Sequence, residues 1–262
     1  MTTDAPLYEV ADLHFRYARG QVLDGVSFTL RTGRFYGLLG PNGCGKTTLL
    51  DLLSGLKRPV SGHIRFKGRS LGAYSRKELA REIALVPQNF YINFPFAVHE
   101  VVMMGRYPHL KRFAPPGDED RRFVREALAA ADLGRLARQP VTALSGGERQ
   151  RVIFARALAQ NTGMLMLDEA TSNLDIRHTL GLLSRTRERV HQGRLTVLAV
   201  FQDVNLAALY CDELLFLQEG SLVAQGPTTE VMRADILEEV YGVDGRIRPH
   251  AEYGLPQVDF RR

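Results

Sequence analysis

The sequence has little of what marks secreted, metal-binding or membrane-spanning proteins. Only two of its 262 residues are cysteines, Cys44 and Cys211. A disulfide framework is therefore not expected, a reducing compartment suits the chain, and neither cysteine has metal-ligand spacing to another cysteine or to a histidine. The apolar stretch at 195–201 contains a threonine and is far shorter than the roughly 20 residues that a membrane helix needs.

Targeting and nucleic-acid signals are also missing. The N-terminus MTTDAPLYEV has no basic region followed by an apolar one, so we expect no signal peptide and a cytosolic chain. The net charge is +5, but the basic residues are scattered and no aromatic-and-basic RNA-binding pattern occurs. We therefore predict a mildly basic surface and no nucleic-acid partner.

What the sequence does contain is an alternation of strand and helix patterns. Residues 7–39 predict strands, and an apolar face that includes Leu56 predicts a helix from Thr47 to Leu56. Short strands are expected at His63–Phe66 and Ile83–Val86, the latter ended by Pro87. From 89 to about 160 strand signals disappear and helical periodicity takes over.

Strand patterns resume after residue 160. We predict strands at Met164–Leu167 and Leu195–Val200, helices at Ile176–His191 and Asp203–Tyr210, and a hairpin around the turn 218–220. Strands that alternate with helices indicate an α/β fold with a mainly parallel sheet. The predicted organisation is one domain over 1–262, with an α/β core at 1–88 and 161–262 and a helical subdomain at 89–160.

A phosphate-binding loop stands out in the first strand–turn–helix unit. The pattern G-x-x-x-x-G-K-[ST] is matched after an apolar strand and at the start of a helix. Backbone N–H groups of such a loop surround phosphate oxygens, and the helix N-terminus adds its positive dipole end. The predicted nucleotide-binding residues are Gly40, Pro41, Asn42, Gly43, Cys44, Gly45, Lys46, Thr47 and Thr48.

Two members of this loop carry particular expectations. Lys46 is expected to neutralise the outer phosphates, and the Thr47 hydroxyl to bind Mg²⁺. Cys44 has two interpretations, a thiol with a depressed pKa at a helix start or a small tolerated residue whose backbone binds phosphate. The second is favoured.

A second acidic element follows the predicted strand at 164–167. Asp168 and Glu169 are adjacent, and because side chains alternate along a strand, their carboxylates can hold different roles. Asp168 suits the Mg²⁺ shell, and Glu169 suits positioning and deprotonating the attacking water.

The segment Leu144-Ser-Gly-Gly-Glu-Arg-Gln150 resembles the signature of ABC ATPases. Ser145 can cap a helix that runs from Gly146 to about Gln160, whose exposed N–H groups form a second anion site. The resemblance covers nearly the whole chain. It implies a P-loop NTPase (RecA-like) core with an antiparallel β subdomain and a helical ABC-specific subdomain.

The resemblance also implies roles for individual residues. Tyr17 resembles the aromatic residue that stacks on adenine, and Gln88 the glutamine that senses the γ-phosphate and Mg²⁺. Asp175, in the segment Ser172-Asn-Leu-Asp175, resembles the loop that crosses between two nucleotide sites. In a head-to-tail dimer closing over two ATP molecules, the residues facing the partner's ATP would be Ser145, Gly146, Gly147 and Gln150.

The chain departs from the family pattern at one catalytic position. ABC ATPases usually carry a histidine after the strand that follows the acidic pair, and here Gln202 occupies that place. Glutamine can donate a hydrogen bond to a phosphate oxygen but cannot carry positive charge. Hydrolysis that is weaker than usual and hydrolysis at a normal rate both remain open.

Less specific segments resemble importers of metal chelates, namely ferric siderophores, haem and cobalamin. They are Gly105-Arg-Tyr-Pro-His-Leu110, Asn205-Leu-Ala-Ala and Val240-Tyr-Gly-Val243. The resemblance implies Mg²⁺ and ATP, a second copy of the chain, integral membrane permease subunits and, indirectly, a periplasmic or extracellular binding protein. It also implies a peripheral location on the cytoplasmic face of the cell (inner) membrane.

The permease is expected to dock near Gln88–Phe96, where Phe90, Tyr91, Phe94, Pro95 and Phe96 form an aromatic-rich stretch. The alternative is that these aromatic residues form core of the insert, and docking is favoured. Two other functions remain open, a nucleotide-gated subunit with weak hydrolysis and a soluble non-transport ABC ATPase. The second would predict a long heptad-patterned insert or zinc cysteines, and neither occurs.

Overall fold

The computed structural model describes residues 6–90, 92–112, 114–172 and 174–260. The elements of the first half are β1 (Pro6–Tyr17), β2 (Gly20–Arg31), β3 (Phe35–Leu39), α1 (Lys46–Leu53), β4 (Ser61–Phe66), β5 (Arg69–Ser70), α2 (Arg76–Glu82), β6 (Ile83–Val86), α3 (Val98–Met103) and α4 (Asp118–Ala130). Those of the second half are α5 (Gly146–Ala159), β7 (Met164–Asp168), α6 (Ile176–His191), β8 (Thr196–Val200), α7 (Val204–Tyr210), β9 (Glu213–Gln218), β10 (Ser221–Pro227), α8 (Thr228–Val231), α9 (Ala234–Tyr241), β11 (Gly245–Pro249) and β12 (Pro256–Phe260).

The chain forms two compact units, one from residues up to 74 together with those from 190 onward, and one from residues 75–189. The predicted α/β class is confirmed. The predicted subdomain boundaries at 88 and 160 describe a different division and stay a prediction.

The first unit contains an antiparallel sheet and a mainly parallel one. In the antiparallel sheet β1 lies between β2 and β4, and β5 pairs with β4. In the parallel part β3 lies between β8 and β9, and β9 continues into the antiparallel hairpin with β10. All five residues of β3 are buried, as expected for a parallel strand covered on both faces.

The helix after β3 is shorter than its sequence predicted. Helix α1 ends at Leu53 because Ser54 caps it and Gly55 has a left-handed φ of 75°. The expectation that Leu56 belongs to the buried face is wrong, because 55% of Leu56 is exposed. The other leucines of the predicted face pack inward, and the Tyr8 hydroxyl of β1 donates to the Leu53 carbonyl at 2.9 Å.

The last part of the first unit is a two-stranded hairpin of β11 and β12. The Asn205 amide on α7 fastens it, accepting from the backbone N–H of Val258 at 2.7 Å and donating to the Val258 carbonyl at 3.1 Å. Neither strand of this hairpin was predicted from sequence patterns.

The second unit contains the parallel pair β6 and β7 together with α2, most of α6 and the helices α3, α4 and α5, which pack on one another. The predicted bounds of β6 and α6 are confirmed. Within the described ranges, no helix has the length and apolarity needed to cross a bilayer.

One buried charged group of the second unit secures α5. The side chain of Arg106 is nearly buried, and its guanidinium donates to Asp120 at 2.9 Å and to the carbonyls of Ala159 and Gln160 at 3.0 and 3.3 Å. Arginine at a helix C-terminus satisfies carbonyls that have no partner within the helix. Arg106 therefore joins the C-terminus of α5 to α4.

A histidine on the antiparallel sheet lies between two carboxylates. His14 Nε2 is 3.0 Å from Asp12 Oδ1, and its Nδ1 is 2.9 Å from Asp24 Oδ1. The hydrogen bond to Asp12 is the main cause that raises the pKa of His14 above its ordinary value of 6.5. Folding therefore favours the protonated imidazole.

We expect this cluster to make stability depend on pH. Because the folded pKa is raised, the stabilisation is fully present below the unfolded pKa and is lost as pH rises through the folded pKa. Thermal unfolding measured from pH 5.5 to 9 should show this loss in the wild type and a smaller loss in His14→Gln. His63→Gln, on β4, removes a histidine outside this cluster and is the control. Equal profiles for wild type and His14→Gln would contradict the expectation.

Candidate functional site

The phosphate-binding loop connects β3 to α1 in the first unit, as predicted. Lys46 is 6% exposed, and its Nζ donates to the carbonyls of Gly40 at 2.8 Å and Pro41 at 2.9 Å. These contacts hold the Lys46 ammonium against the start of the phosphate-binding loop. Asn42, Gly43 and Thr47 are exposed, whereas Thr48 is buried.

Two glycines of the loop are required by the backbone beside them. A Cβ on Gly40 would lie well inside contact distance of the Leu217 carbonyl oxygen, and Gly40 has a φ of 151°. A Cβ on Gly45 would lie 2.7 Å from Leu23 Cδ2 and 3.0 Å from the Val22 carbonyl oxygen. Only glycine fits both positions, which leaves a cradle of backbone N–H groups of the kind that holds phosphate.

The interpretation of Cys44 as a small tolerated residue is supported. Its thiol is buried, and burial raises its pKa above the ordinary value. A raised pKa disfavours the thiolate that a reactive cysteine needs.

Tyr17 reaches the loop from β1. Its hydroxyl lies 3.3 Å from Thr48 Oγ1, and the Lys57 ammonium lies 5.5 Å from the centre of its ring. The side chain of Phe15 meets the ring edge-on, with ring centres 5.0 Å apart. Because Tyr17 is 44% exposed, part of its surface remains open to a ligand.

Gln202 lies at the same edge of the parallel sheet as the start of the loop. Strands β3 and β8 are in parallel register with Leu38 opposite Val200, and the N–H of Phe201 donates to the Leu38 carbonyl at 3.1 Å. The carboxyl ends of parallel strands meet at one edge, so Gln202 follows β8 where Gly40 follows β3. Gln202 is exposed.

Sequence reasoning missed a residue that supports the loop, Tyr241 at the end of α9. Its hydroxyl is buried and is the one buried side-chain polar atom of the described residues without a hydrogen-bond partner. Burial raises the pKa of Tyr241 to about 12, while the nearby Gly40 N–H acts in the opposite direction. The side chain of Tyr241 therefore packs against the start of the loop.

The second unit assembles the predicted acidic pair with Gln88. Strands β6 and β7 are in parallel register with Val86 opposite Leu167, so Gln88 and Glu169 emerge at one edge. Gln88 Nε2 donates to Glu169 Oε2 at 2.6 Å. Asp168 and Glu169 are 3% and 9% exposed, which places both carboxylates in a mostly dry setting.

Glu169 has an unusual backbone that its sequence did not reveal. Its φ is 48°, in the left-handed region that non-glycine residues rarely adopt. The turn is held by Ser172, whose N–H and hydroxyl donate to the Glu169 carbonyl at 3.1 and 2.9 Å. Such strained positions persist where the surrounding structure fixes them, often at functional sites.

The predicted cap of α5 is confirmed. Ser145 Oγ accepts from the N–H of Glu148 at 3.3 Å, and Glu148 Oε2 accepts from the N–H and the hydroxyl of Ser145, both at 2.8 Å. The backbone hydrogen bond from Ser145 lowers the pKa of Glu148, and the hydroxyl hydrogen bond adds to this. Gly146 and Gly147 form the first turn of the helix.

Gln150 and Asp175 also have partners within the second unit. Gln150 is 8% exposed, and its Nε2 donates to the Ala170 carbonyl at 3.2 Å, which ties α5 to the turn after Glu169. The Asp175 carboxylate accepts from the N–H of His178 at 2.9 Å, as an N-cap residue of α6 does. Hydrogen bonds from His178 lower the pKa of Asp175. Their predicted roles at a partner's nucleotide stay predictions, and Asn173 of the same segment lies outside the described residues.

The aromatic-rich stretch is largely at the surface. Phe94 is 69% exposed, Phe96 41% and Phe90 37%, and the Arg156 guanidinium lies over the ring of Phe90 at 4.3 Å. These exposures favour docking over the alternative that the stretch is core. Tyr91 lies outside the described residues.

Comparison with known proteins adds a family and its relatives. The family model described as "ABC transporter" matches residues 23–172. The hemin import ATP-binding protein HmuV of Pseudomonas entomophila is 42% identical over 257 residues, covering 96% of this chain and 99% of that protein. The ferric enterobactin transport ATP-binding protein FepC of Escherichia coli is 38% identical, covering 98% and 95%.

A solved structure is similar over the same extent. A metal-chelate type ABC transporter in an inward-facing conformation superposes with a TM-score of 0.83 and is 29% identical, with 98% of each chain covered.

The steric requirement at Gly40 yields a test of the loop. We expect Gly40→Ala to weaken ATP binding by at least about tenfold, because the new methyl group would push the loop off the Leu217 carbonyl and strain its backbone. Gly163→Ala is the matched control, since a Cβ there would meet no atom within 4 Å. Binding of a fluorescent ATP analogue measures both, and equal affinities would contradict the requirement.

Proposed function

Because the chain belongs to the ABC transporter family, we propose that it is the ATP-hydrolysing subunit of an importer that works as a dimer with separate membrane permeases. Its cargo is a metal chelate, a ferric siderophore, haem or cobalamin. The observation that carries the proposal is the Gln88–Glu169 contact at the end of a buried strand, in a chain that also has the glycine-required phosphate loop. Relatives named for hemin and ferric enterobactin import support the cargo class.

The phosphate loop fits the triphosphate of ATP. Its backbone N–H groups and the dipole of α1 favour anionic oxygens, and Lys46 is fixed where it can neutralise them. The partly exposed Tyr17 offers a surface for the adenine ring. Thr47, Gln88 and Asp168 supply the hydroxyl, amide and carboxylate oxygens that Mg²⁺ prefers. When bound, Mg²⁺ neutralises the charge that develops on the phosphates.

Glu169 is proposed to act on the water that attacks the γ-phosphate. Glu169 is 9% exposed and its carboxylate accepts a hydrogen bond from Gln88, so its position is fixed before the reaction. A general base must be held within hydrogen-bond reach of the proton that it takes. Gln202, at the edge where the phosphate loop begins, donates a hydrogen bond to the γ-phosphate oxygens but adds no charge.

In the proposed dimer, Ser145 and the first turn of α5 complete the nucleotide site of the second copy. The N–H groups at the start of this helix suit an anion. Asp175 crosses between the two sites. The exposed aromatic residues near Phe90–Phe96 receive the permease, which places the subunit peripherally on the cytoplasmic face of the membrane, with a binding protein acting indirectly.

The alternative of a subunit with weak hydrolysis is kept as a second candidate because of Gln202. A soluble non-transport role receives no comparable support, since the named relatives serve import. Co-purification with a candidate permease from the same organism, followed by uptake measured with labelled haem and a labelled siderophore, tests the importer directly. The importer proposal would be refuted if the protein failed to bind a permease, and also if it failed to bind nucleotide.

The role of Glu169 can be tested without changing its size. We expect Glu169→Gln to lower steady-state ATP hydrolysis by about a hundredfold or more while leaving ATP binding in place, because the amide cannot take a proton. Glu219→Gln is a matched control, since Glu219 also has a left-handed backbone but lies in the β9–β10 turn. Hydrolysis that persists in Glu169→Gln would refute the assignment.

The glutamine at position 202 predicts that restoring the family's histidine increases ATP hydrolysis. We expect Gln202→His to raise turnover in the assembled complex, because a protonated imidazole adds the positive charge that glutamine lacks. Gln202→Ala should fall below the wild type. Phosphate release at saturating ATP measures the turnover of the wild type and of the two variants. Unchanged or reduced turnover in Gln202→His would count against the prediction.

A further inference from the structure

A cavity in the second unit carries basic residues that the proposed hydrolysis does not use. It has a volume of about 250 Å³ and lies between the C-terminus of α4, one face of α5 and the first half of α6. Three arginines line it, Arg151 from α5 with Arg177 and Arg185 from α6. None of its residues belongs to the phosphate loop or to the acidic pair.

Arg151 is the most enclosed of the three, with only 11% of its side chain exposed. Its Nη1 donates to the carbonyls of Ala131 at 3.1 Å and Asp132 at 2.9 Å. A guanidinium has five N–H donors, and those on Nε and Nη2 have no hydrogen-bond partner among the described residues. A largely enclosed cation with unused donors favours an anionic partner.

Two carboxylates interact electrostatically with Arg151, those of Asp132 and Glu148, and neither accepts a hydrogen bond from it. Asp132 Oδ2 is 3.7 Å from Arg151 Nη1, but its side chain is 78% exposed. Asp175 is engaged by His178, a lining residue whose Nδ1 lies 2.7 Å from Asp175 Oδ2. The cavity is therefore lined by three arginines and by one carboxylate, the solvated one of Asp132.

The arginines of α6 lie on either side of a gap. Arg177, Gly181 and Arg185 follow one another at intervals of four residues, so they share a face of the helix. Arg185 also donates to the Ala130 carbonyl, which directs it toward the same end of α4 as Arg151. The basic groups thus converge from two helices.

Gly181 makes the gap, and packing does not require it. A Cβ at this position would meet no atom within 4 Å, and its φ is not in the left-handed range. Glycine inside a helix costs about 1 kcal/mol relative to alanine, so the residue weakens α6 without relieving any clash. What it provides is open space between Arg177 and Arg185.

We propose that this cavity binds a small phosphate-bearing anion, with the unused donors of Arg151 gripping the phosphate and Arg177 and Arg185 adding charge from α6. Guanidinium groups match phosphate oxygens in geometry and charge. A pyrophosphate-sized anion fits the volume. Since Ser145 caps α5 and Asp175 precedes α6, an occupant joins the two helices that carry the proposed dimer contacts.

The test uses Lys46→Ala protein, so that the phosphate loop does not compete for the probe. Pyrophosphate, inorganic phosphate and citrate are titrated at constant ionic strength, and binding is followed by calorimetry and thermal unfolding. We expect saturable binding of pyrophosphate, weakened at least about tenfold when Arg177→Gln and Arg185→Gln are added. The control removes the same charge from the exposed face of α4, with Arg122→Gln and Arg125→Gln, and should bind like the parent.

A second variant separates binding from folding. Gly181→Leu fills the gap and improves helix propensity, so unfolding without ligand should move to higher temperature while pyrophosphate binding weakens. Any one of three results overturns the proposal. These are no saturable pyrophosphate binding in Lys46→Ala protein, equal pyrophosphate affinity in the two double-arginine variants, or tighter binding of citrate than of pyrophosphate.

Discussion

The backbone of the phosphate loop lies very close to the backbone of neighbouring strands. The rest of the first unit depends on this constraint. Gly40 and Gly45 lie against carbonyl groups of neighbouring chain segments, and no side chain fits at either position. This approach fixes the direction in which β3 becomes α1 and holds Lys46 on the carbonyls of the loop. The N–H groups that remain free to turn inward are a consequence of this packing.

The segments that resemble metal-chelate importers contain residues that hold structural elements together. Arg106 joins the C-terminus of α5 to α4, and a Cβ on Gly105 would collide with the backbone of Arg156 on α5. Asn205 clamps the C-terminal hairpin to α7, and Tyr241 packs behind the phosphate loop. Each ties an accessory element to one that carries an ATPase motif.

Sequence patterns predicted the α/β class, the bounds of β6 and α6 and the cap at Ser145 because these follow from local periodicity and spacing. They missed the early end of α1, since Leu56 fits the apolar pattern and only the left-handed Gly55 ends the helix. The strained backbone of Glu169 and the partner of Gln150 depend on tertiary contacts between distant segments. No local signal could have revealed them.

The interleaved order of the first unit has a consequence for synthesis. Strand β3 finds both of its neighbours, β8 and β9, only after more than half of the chain has followed it. The pair β6 and β7 lies wholly within residues 75–189 and can close earlier. A ribosome-bound intermediate therefore carries an apolar strand with two unpaired edges, the kind of species that aggregates or recruits chaperones. The last quarter of the chain completes the sheet and ends that exposure.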